Sequence, residues 1–147
     1  MTDTPSDPNM QTPRQNAVPK ILVVEDQEVI QDLLLTIFDH EGFETKCAGS
    51  VAEALAALVD RPDFVVLDLH LPDGRGTQVL REIRDRGMTT KVAVTTGTID
   101  QSLIGAADRL RPDKFFQKPY RATELVTWIR GGKSPAVCGP VALRAAS

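Results

Sequence analysis

Short apolar runs punctuate the chain, and between them apolar positions recur at helical spacing. Ile21-Leu22-Val23-Val24 and Phe64-Val65-Val66-Leu67 are continuous runs. A short continuous run bounded by turn residues reads as a strand buried on both faces, as in a parallel sheet. Lys91 to Thr96 is a further strand, with Val92 and Val94 apolar, and Phe115-Phe116 forms a short last one. Phe43 to Ala48 is more polar and predicts a strand at an edge.

The stretches between these runs predict five helices. Val29, Ile30, Leu33, Leu34, Ile37 and Phe38 mark one face of the first, and Gly42 follows its end. Ser50 and Glu53 form a capping box ahead of Val51, Ala54, Leu55, Leu58 and Val59, and Pro62 closes that helix. Val79, Leu80 and Ile83 turn inward on the third, with Gly87 past its end. Ile99, Leu103, Ile104, Ala107 and Leu110 mark the fourth, although Gly105 is a poor helix former. Leu125, Val126, Trp128 and Ile129 mark the fifth, which stops at Gly131-Gly132. Five alternations of strand and helix predict an α/β fold, a doubly wound parallel sheet with helices on both faces and right-handed crossovers. No internal repeat is visible.

Composition adds boundaries. The chain has 147 residues, enough for one domain with a real core. Apolar residues make up 41% and charged residues 25%, near the globular average. A net charge of −3 gives no general attraction to nucleic acid or an anionic membrane. Residues 1–19 carry Pro5, Pro8, Pro13 and Pro19 among small polar residues, which predicts a disordered tail. Residues 132–147 read as a short flexible tail with no output domain, leaving residues 20–131 as the folded unit. No apolar run nears the ~20 residues that span a bilayer, and the N-terminus lacks the pattern of a signal peptide. A cytoplasmic protein is expected. Cys47 and Cys138 make no disulfide framework or metal spacing. Cys47 reads as a small core residue.

The candidate chemistry lies where the strands end. Phe64 to Leu67 runs straight into Asp68, and Pro72 and Gly74 then break the chain. The first strand ends in Glu25-Asp26, the fourth in Thr96-Gly97, and the fifth leads into Lys118-Pro119. In a parallel sheet these ends share one edge, where ligands of open α/β sheets bind. Clustered carboxylates repel unless a divalent cation sits among them. An all-oxygen set suits Mg²⁺, which offsets charge on a transferred phosphoryl group. Lys118 can act as a second point charge. Thr96 can donate a hydrogen bond. Asp68 is an adequate nucleophile toward phosphorus once oriented. Singly, each residue has an ordinary explanation: a helix cap, a surface lysine, a strand-end hydroxyl. Together they point to phosphoryl transfer to a carboxylate.

From about Lys20 to Arg130 the chain resembles the receiver domains of two-component response regulators, of the single-domain, CheY-like kind. Glu25-Asp26, Asp68 with Pro72 four residues on, Gly76, Thr96-Gly97, Phe115 and Lys118-Pro119 carry the resemblance. It implies a five-stranded flavodoxin-like sheet of order 2-1-3-4-5. It implies Asp68 as phosphoacceptor, served by a sensor histidine kinase or a histidine phosphotransfer protein. Mg²⁺ would be held by Asp26, Asp68 and the backbone carbonyl of His70, with Glu25 acting through a bound water. Lys118 would pair with the phosphoryl group, and the Lys118-Pro119 bond would be cis. Thr96 and Phe115 would move together as the switch. Output would pass to a downstream protein target or onward to another histidine, with no direct nucleic-acid or membrane binding. The protein would be a monomer or a weak homodimer through its fourth-helix to fifth-helix face. Such a module promotes its own phosphorylation and dephosphorylation and is not an enzyme.

The chain departs from the family pattern in three places. Arg111-Pro112-Asp113 replaces the usual Gly-Ala ahead of the fifth strand. Pro72-Asp73-Gly74-Arg75-Gly76 is a glycine-rich variant of the usual turn. His70 stands two residues after the acceptor, where the family's side chain tunes dephosphorylation; as Mg²⁺ prefers oxygen, it reads as a solvated loop histidine. Two other functions compete. A phosphatase of the haloacid dehalogenase type needs a second acid two residues after its nucleophile, where this chain has His70. A pseudo-receiver keeps the fold without phosphorylation, and the intact site argues against it.

Overall fold

Residues 18–131 and 144–145 are described in the computed structural model of the chain. The expected tails lie outside them, apart from Val18, Pro19 and the 144–145 pair, and so does Cys138. Five strands, β1 (Lys20–Val24), β2 (Glu44–Ala48), β3 (Phe64–Asp68), β4 (Lys91–Thr96) and β5 (Lys114–Gln117), form one parallel sheet. Their order is β2-β1-β3-β4-β5, the flavodoxin-like order. The polar run at Glu44–Ala48 is an edge strand, as its composition predicts. Helices α1 (Glu28–His40), α2 (Val51–Ala57), α3 (Gly76–Asp85), α4 (Gln101–Arg109) and α5 (Ala122–Ile129) connect and cover the sheet.

Strand side chains alternate between faces, and this divides the core in two. Leu22, Val24, Val65, Leu67, Val92 and Val94 pack under α2, α3 and α4, against Ala54, Ile83 and Leu103. Ile21, Val23, Val66, Ala93 and Phe116 pack under α1 and α5, against Leu34, Phe38 and Leu125. Two-sided burial is why the central strands read as unbroken apolar runs. The register aligns Val24 with Leu67, Leu67 with Val94 and Val94 with Phe115. One step further along, Glu25 and Asp68 therefore leave the sheet side by side.

Three apolar residues assigned to helix faces point outward instead. Val29 is 80% exposed because Ile30, Leu34, Ile37 and Phe38 fill the buried arc of α1, and a residue 100° from Ile30 falls outside it. Val59 is 77% exposed because the chain tightens into a 3₁₀ turn at Leu58–Asp60, which changes the rotation per residue. Ile99 is 83% exposed and precedes Asp100, the cap of α4. Asp100 Oδ1 accepts from the backbone N–H of Ser102 (3.0 Å) and Leu103 (3.4 Å). The Ser50 box also closes differently from its usual form. Ser50 Oγ accepts from Glu53 N–H at 3.1 Å, but Glu53 Oε1 reaches Gly49 N–H at 2.7 Å, one residue earlier. Among the described residues no helix is long and apolar enough to cross a membrane. Arg144–Ala145 pair in antiparallel fashion with Tyr120–Arg121.

Candidate functional site

Asp68 ends β3 with 6% of its surface exposed. Its two carboxylate oxygens have different partners: Oδ1 accepts from His70 N–H at 3.1 Å, and Oδ2 accepts from Lys118 Nζ at 2.9 Å. The same ammonium donates to Glu25 Oε1 at 3.0 Å. Glu25 Oε2 accepts from Gln27 N–H at 3.2 Å. Glu25, Asp68 and the Lys118 side chain are all buried, so these bonds are little screened by water. Asp26, one residue past β1, is exposed and accepts no hydrogen bond among the described residues. Oxygen atoms of Glu25, Asp26 and Asp68 lie within 4.8 Å of one another.

Three carboxylates and one ammonium leave the cluster short of positive charge. Burial, then the neighbouring Asp68 carboxylate, pushes the Glu25 carboxyl above its usual range, and Lys118 offsets this only in part. Burial pulls against the charge of Lys118, but Asp68 and Glu25 outweigh it and hold the ammonium above its ordinary value. Lys118 is thus held protonated. The donor set is all oxygen, clustered and open to solvent on the Asp26 side, which fits Mg²⁺. A cleft of about 470 Å³ opens here, lined by Asp26, Asp68, His70, Leu71, Pro72 and Thr98 among others.

The loop after Asp68 is tightly built. Gly76 N–H donates to Leu69 O at 2.9 Å, and a Cβ on Gly76 would stand 2.2 Å from the Asp68 carbonyl oxygen. Only glycine lets α3 begin so close to the acceptor strand. Asp73 fastens the loop to α2: Oδ1 accepts from Val51 N–H at 2.7 Å and Oδ2 from Ala52 N–H at 3.1 Å. These bonds hold the Asp73 carboxyl below the usual range. The His70 side chain is exposed. Thr96 is buried, and its Oγ1 accepts from Thr98 N–H at 3.0 Å. Phe115 is half-buried against the α4 side of the core, beside Val94 and on the face that Thr96 shares. Lys118 N–H donates to Thr96 O at 2.8 Å, and the Lys118-Pro119 peptide is cis.

The structure therefore brings Glu25, Asp26, Asp68, Thr96 and Lys118 to one edge of the sheet and keeps Phe115 farther back, near the start of β5. Three contributors escape a reading of motifs. Gln31 on α1 donates its side-chain amide to the Glu25 carbonyl. Asp73 reads as a turn residue until its reach to α2 is seen. Tyr120 is 4% exposed, its hydroxyl has no partner among the described residues, and burial followed by the Glu25 and Asp68 charges pushes its phenol up. The one signal for Gln31 is spacing: it stands a helical turn beyond Gln27, on the end of α1 that meets the site.

A sheet of this order with an acid–lysine cluster at its carboxyl edge defines an α/β signalling domain of receiver type. The chain belongs to the response regulator receiver family, whose model, described as the response regulator receiver domain, matches residues 21–130. Members of that family are signalling modules rather than turnover enzymes. The chain is 36% identical over 124 residues to the DNA-binding response regulator MtrA of Mycobacterium tuberculosis, covering 82% of this chain and 51% of MtrA. A CheY-like response regulator receiver domain protein from Methanospirillum hungatei superposes with a TM-score of 0.72 at 25% identity, covering 78% of this chain and 93% of that one. The phosphorylated cyanobacterial phytochrome response regulator RcpA superposes with a TM-score of 0.67 at 26% identity, covering 78% and 91%. The chain spans about half the length, or less, of the curated relatives it matches, for example 56% of SphR of Synechococcus elongatus and 24% of AtoC of Escherichia coli.

Proposed function

We propose that Asp68 accepts a phosphoryl group from a phosphohistidine on a sensor histidine kinase or a histidine phosphotransfer protein. One observation carries this reading: a buried lysine bonded to Asp68 and Glu25 at once, beside a third, exposed carboxylate. An oxygen of Asp68 attacks phosphorus, a P–O bond forms, the P–N bond breaks, and the imidazole leaves with its electron pair and takes up a proton. Asp26, Asp68 and the His70 carbonyl would hold Mg²⁺, with Glu25 beside them acting through a bound water, and the ion supplies charge neutralisation at the phosphoryl oxygens. Lys118 turns from Glu25 and Asp68 to the new phosphoryl group. Thr96 has its oxygen engaged by Thr98 N–H, which leaves its proton to donate to a phosphoryl oxygen.

The switch is read as mechanical. Thr96 moving toward the phosphoryl group frees room on the face it shares with Phe115, and Phe115 turns inward to fill it. That alters the surface of α4, β5 and α5, where a downstream protein docks, or the group passes onward to another histidine. A donor kinase that draws on ATP places this work in the cytoplasm. The test is transfer from a histidine-phosphorylated donor carrying labelled phosphate. Wild type takes the label and Asp68→Asn does not. Equal labelling of the variant overturns the assignment of Asp68.

A further inference from the structure

We propose that Gln31 is a positioning residue for the acidic pair at the end of β1, fixing the direction in which the Asp26 carboxylate leaves the backbone. The inference rests on the reading of Glu25, Asp26 and Asp68 as the metal-holding set.

Asp26 is the least restrained member of that set. Its side chain is exposed and accepts no hydrogen bond among the described residues. Its aim is therefore set by the backbone that carries it. The peptide between Glu25 and Asp26 is a rigid plane, so holding its oxygen holds the plane and with it the Asp26 Cα. Gln27 N–H, bonded to Glu25 Oε2 at 3.2 Å, holds the next peptide, and the two together set where the Asp26 side chain leaves. The oxygen is held by the side-chain amide of Gln31. Gln31 is itself anchored, since its backbone N–H donates to Gln27 O at 3.0 Å in the first turn of α1. Glu25 N–H donates to Ala48 O at 3.0 Å, which leaves rotation about the Glu25 Cα–C bond as the freedom that Gln31 removes. Glu25 needs no such help, because Gln27 N–H and Lys118 already hold its carboxylate.

A capping role alone would look similar in the static structure: Glu25 is 3% exposed, and its carbonyl would otherwise lie buried without a partner. The two roles separate in their consequences. Loss of a cap lowers stability and leaves Mg²⁺ affinity of the folded protein unchanged. Loss of a positioning residue lowers Mg²⁺ affinity and loosens Asp26 even without metal.

The experiment takes the full chain as wild type, Gln31→Met and Gln31→Glu. Met keeps the length and removes the donor. Glu keeps the length and sets a carboxylate against the Glu25 carbonyl, so the test survives if one variant fails to fold. Mg²⁺ affinity is measured by calorimetry, and the order parameter of the Asp26 amide by NMR on metal-free protein. The expected result is an affinity about tenfold weaker, the low end of what partners of metal ligands contribute, with a lower order parameter at Asp26. Unchanged affinity and order, with only a lower Tm, overturns the proposal. If wild type itself takes up no Mg²⁺, the metal reading fails instead, and unchanged order at Asp26 in the variants then overturns the positioning role as well.

Discussion

At the level of single residues, geometry assigns each polar group at the carboxyl edge a separate task. Asp68 is bonded through both oxygens, and Lys118 bridges it to Glu25 within a nearly dry cluster. Asp26 stays outside, where it can meet an incoming group. Gly76 is the least replaceable residue near them, because a Cβ there meets backbone rather than a side chain that could move aside. Gly76→Ala is expected to destabilise the fold by about 1–3 kcal/mol, the usual cost of forcing extra volume into a packed site. It should also weaken phosphorylation in the folded fraction, since the displaced backbone is that of Asp68. Urea unfolding and labelling kinetics measure the two effects, and a variant equal to wild type in both contradicts the close-approach argument. The residues legible in the sequence were those at strand ends, because a run of apolar residues closing on an acid marks its own end. Gln31 offered only its spacing, one turn beyond Gln27, and its role becomes visible only once the fold sets it against the Glu25 carbonyl.

Among the elements, the alternation of continuous apolar runs with helical spacing made all five strands and helices readable, and two-sided burial is the physical reason. The misplaced residues lie where an element starts or changes pitch. Val29 is in a first turn, Val59 is in a 3₁₀ turn, and Ile99 precedes a cap. At the last two points the α-helical period no longer holds, whereas Val29 lies on the exposed side of a regular helix. The edge strand β2 offers a direct test of packing. Cys47 on it is half-buried, and burial, with the charge of Asp32, pushes its thiol up to about 11 from an ordinary 9.0. Two pK units mean about a hundredfold less thiolate. At pH 8, Cys47 should therefore alkylate far more slowly in the native protein than in urea, as read by peptide mass mapping. Native alkylation as fast as in urea would show that β2 frays from the sheet.

The molecule as a whole joins a closely packed sheet to a site held under electrostatic tension. The Glu25 carboxyl is raised by burial and by the Asp68 charge, so the folded state binds its proton more tightly than the unfolded chain does. That contribution to stability is fully present below about pH 4.5 and is lost as pH rises through the raised value. Metal-free protein therefore carries the unrelieved repulsion at neutral pH, and Mg²⁺ should relieve it there. The rise in Tm on adding Mg²⁺ is expected to be larger at pH 7.5 than at pH 5, and an equal or opposite dependence contradicts the picture. The 2-1-3-4-5 topology makes this tension useful, because it places β4, β5 and the helices beside them on one flank of the acceptor. This edge of the sheet is proposed to take up one phosphoryl group, on Asp68, with the help of a divalent cation. Intact-protein mass tests it most directly, after incubation with acetyl phosphate and with a phosphorylated histidine kinase, in Mg²⁺ and in EDTA, for wild type and Asp68→Asn. A single phosphoryl adduct on wild type in Mg²⁺, absent in EDTA and absent from the variant, is the predicted result. No adduct from either donor, or the same adduct on Asp68→Asn, would contradict it.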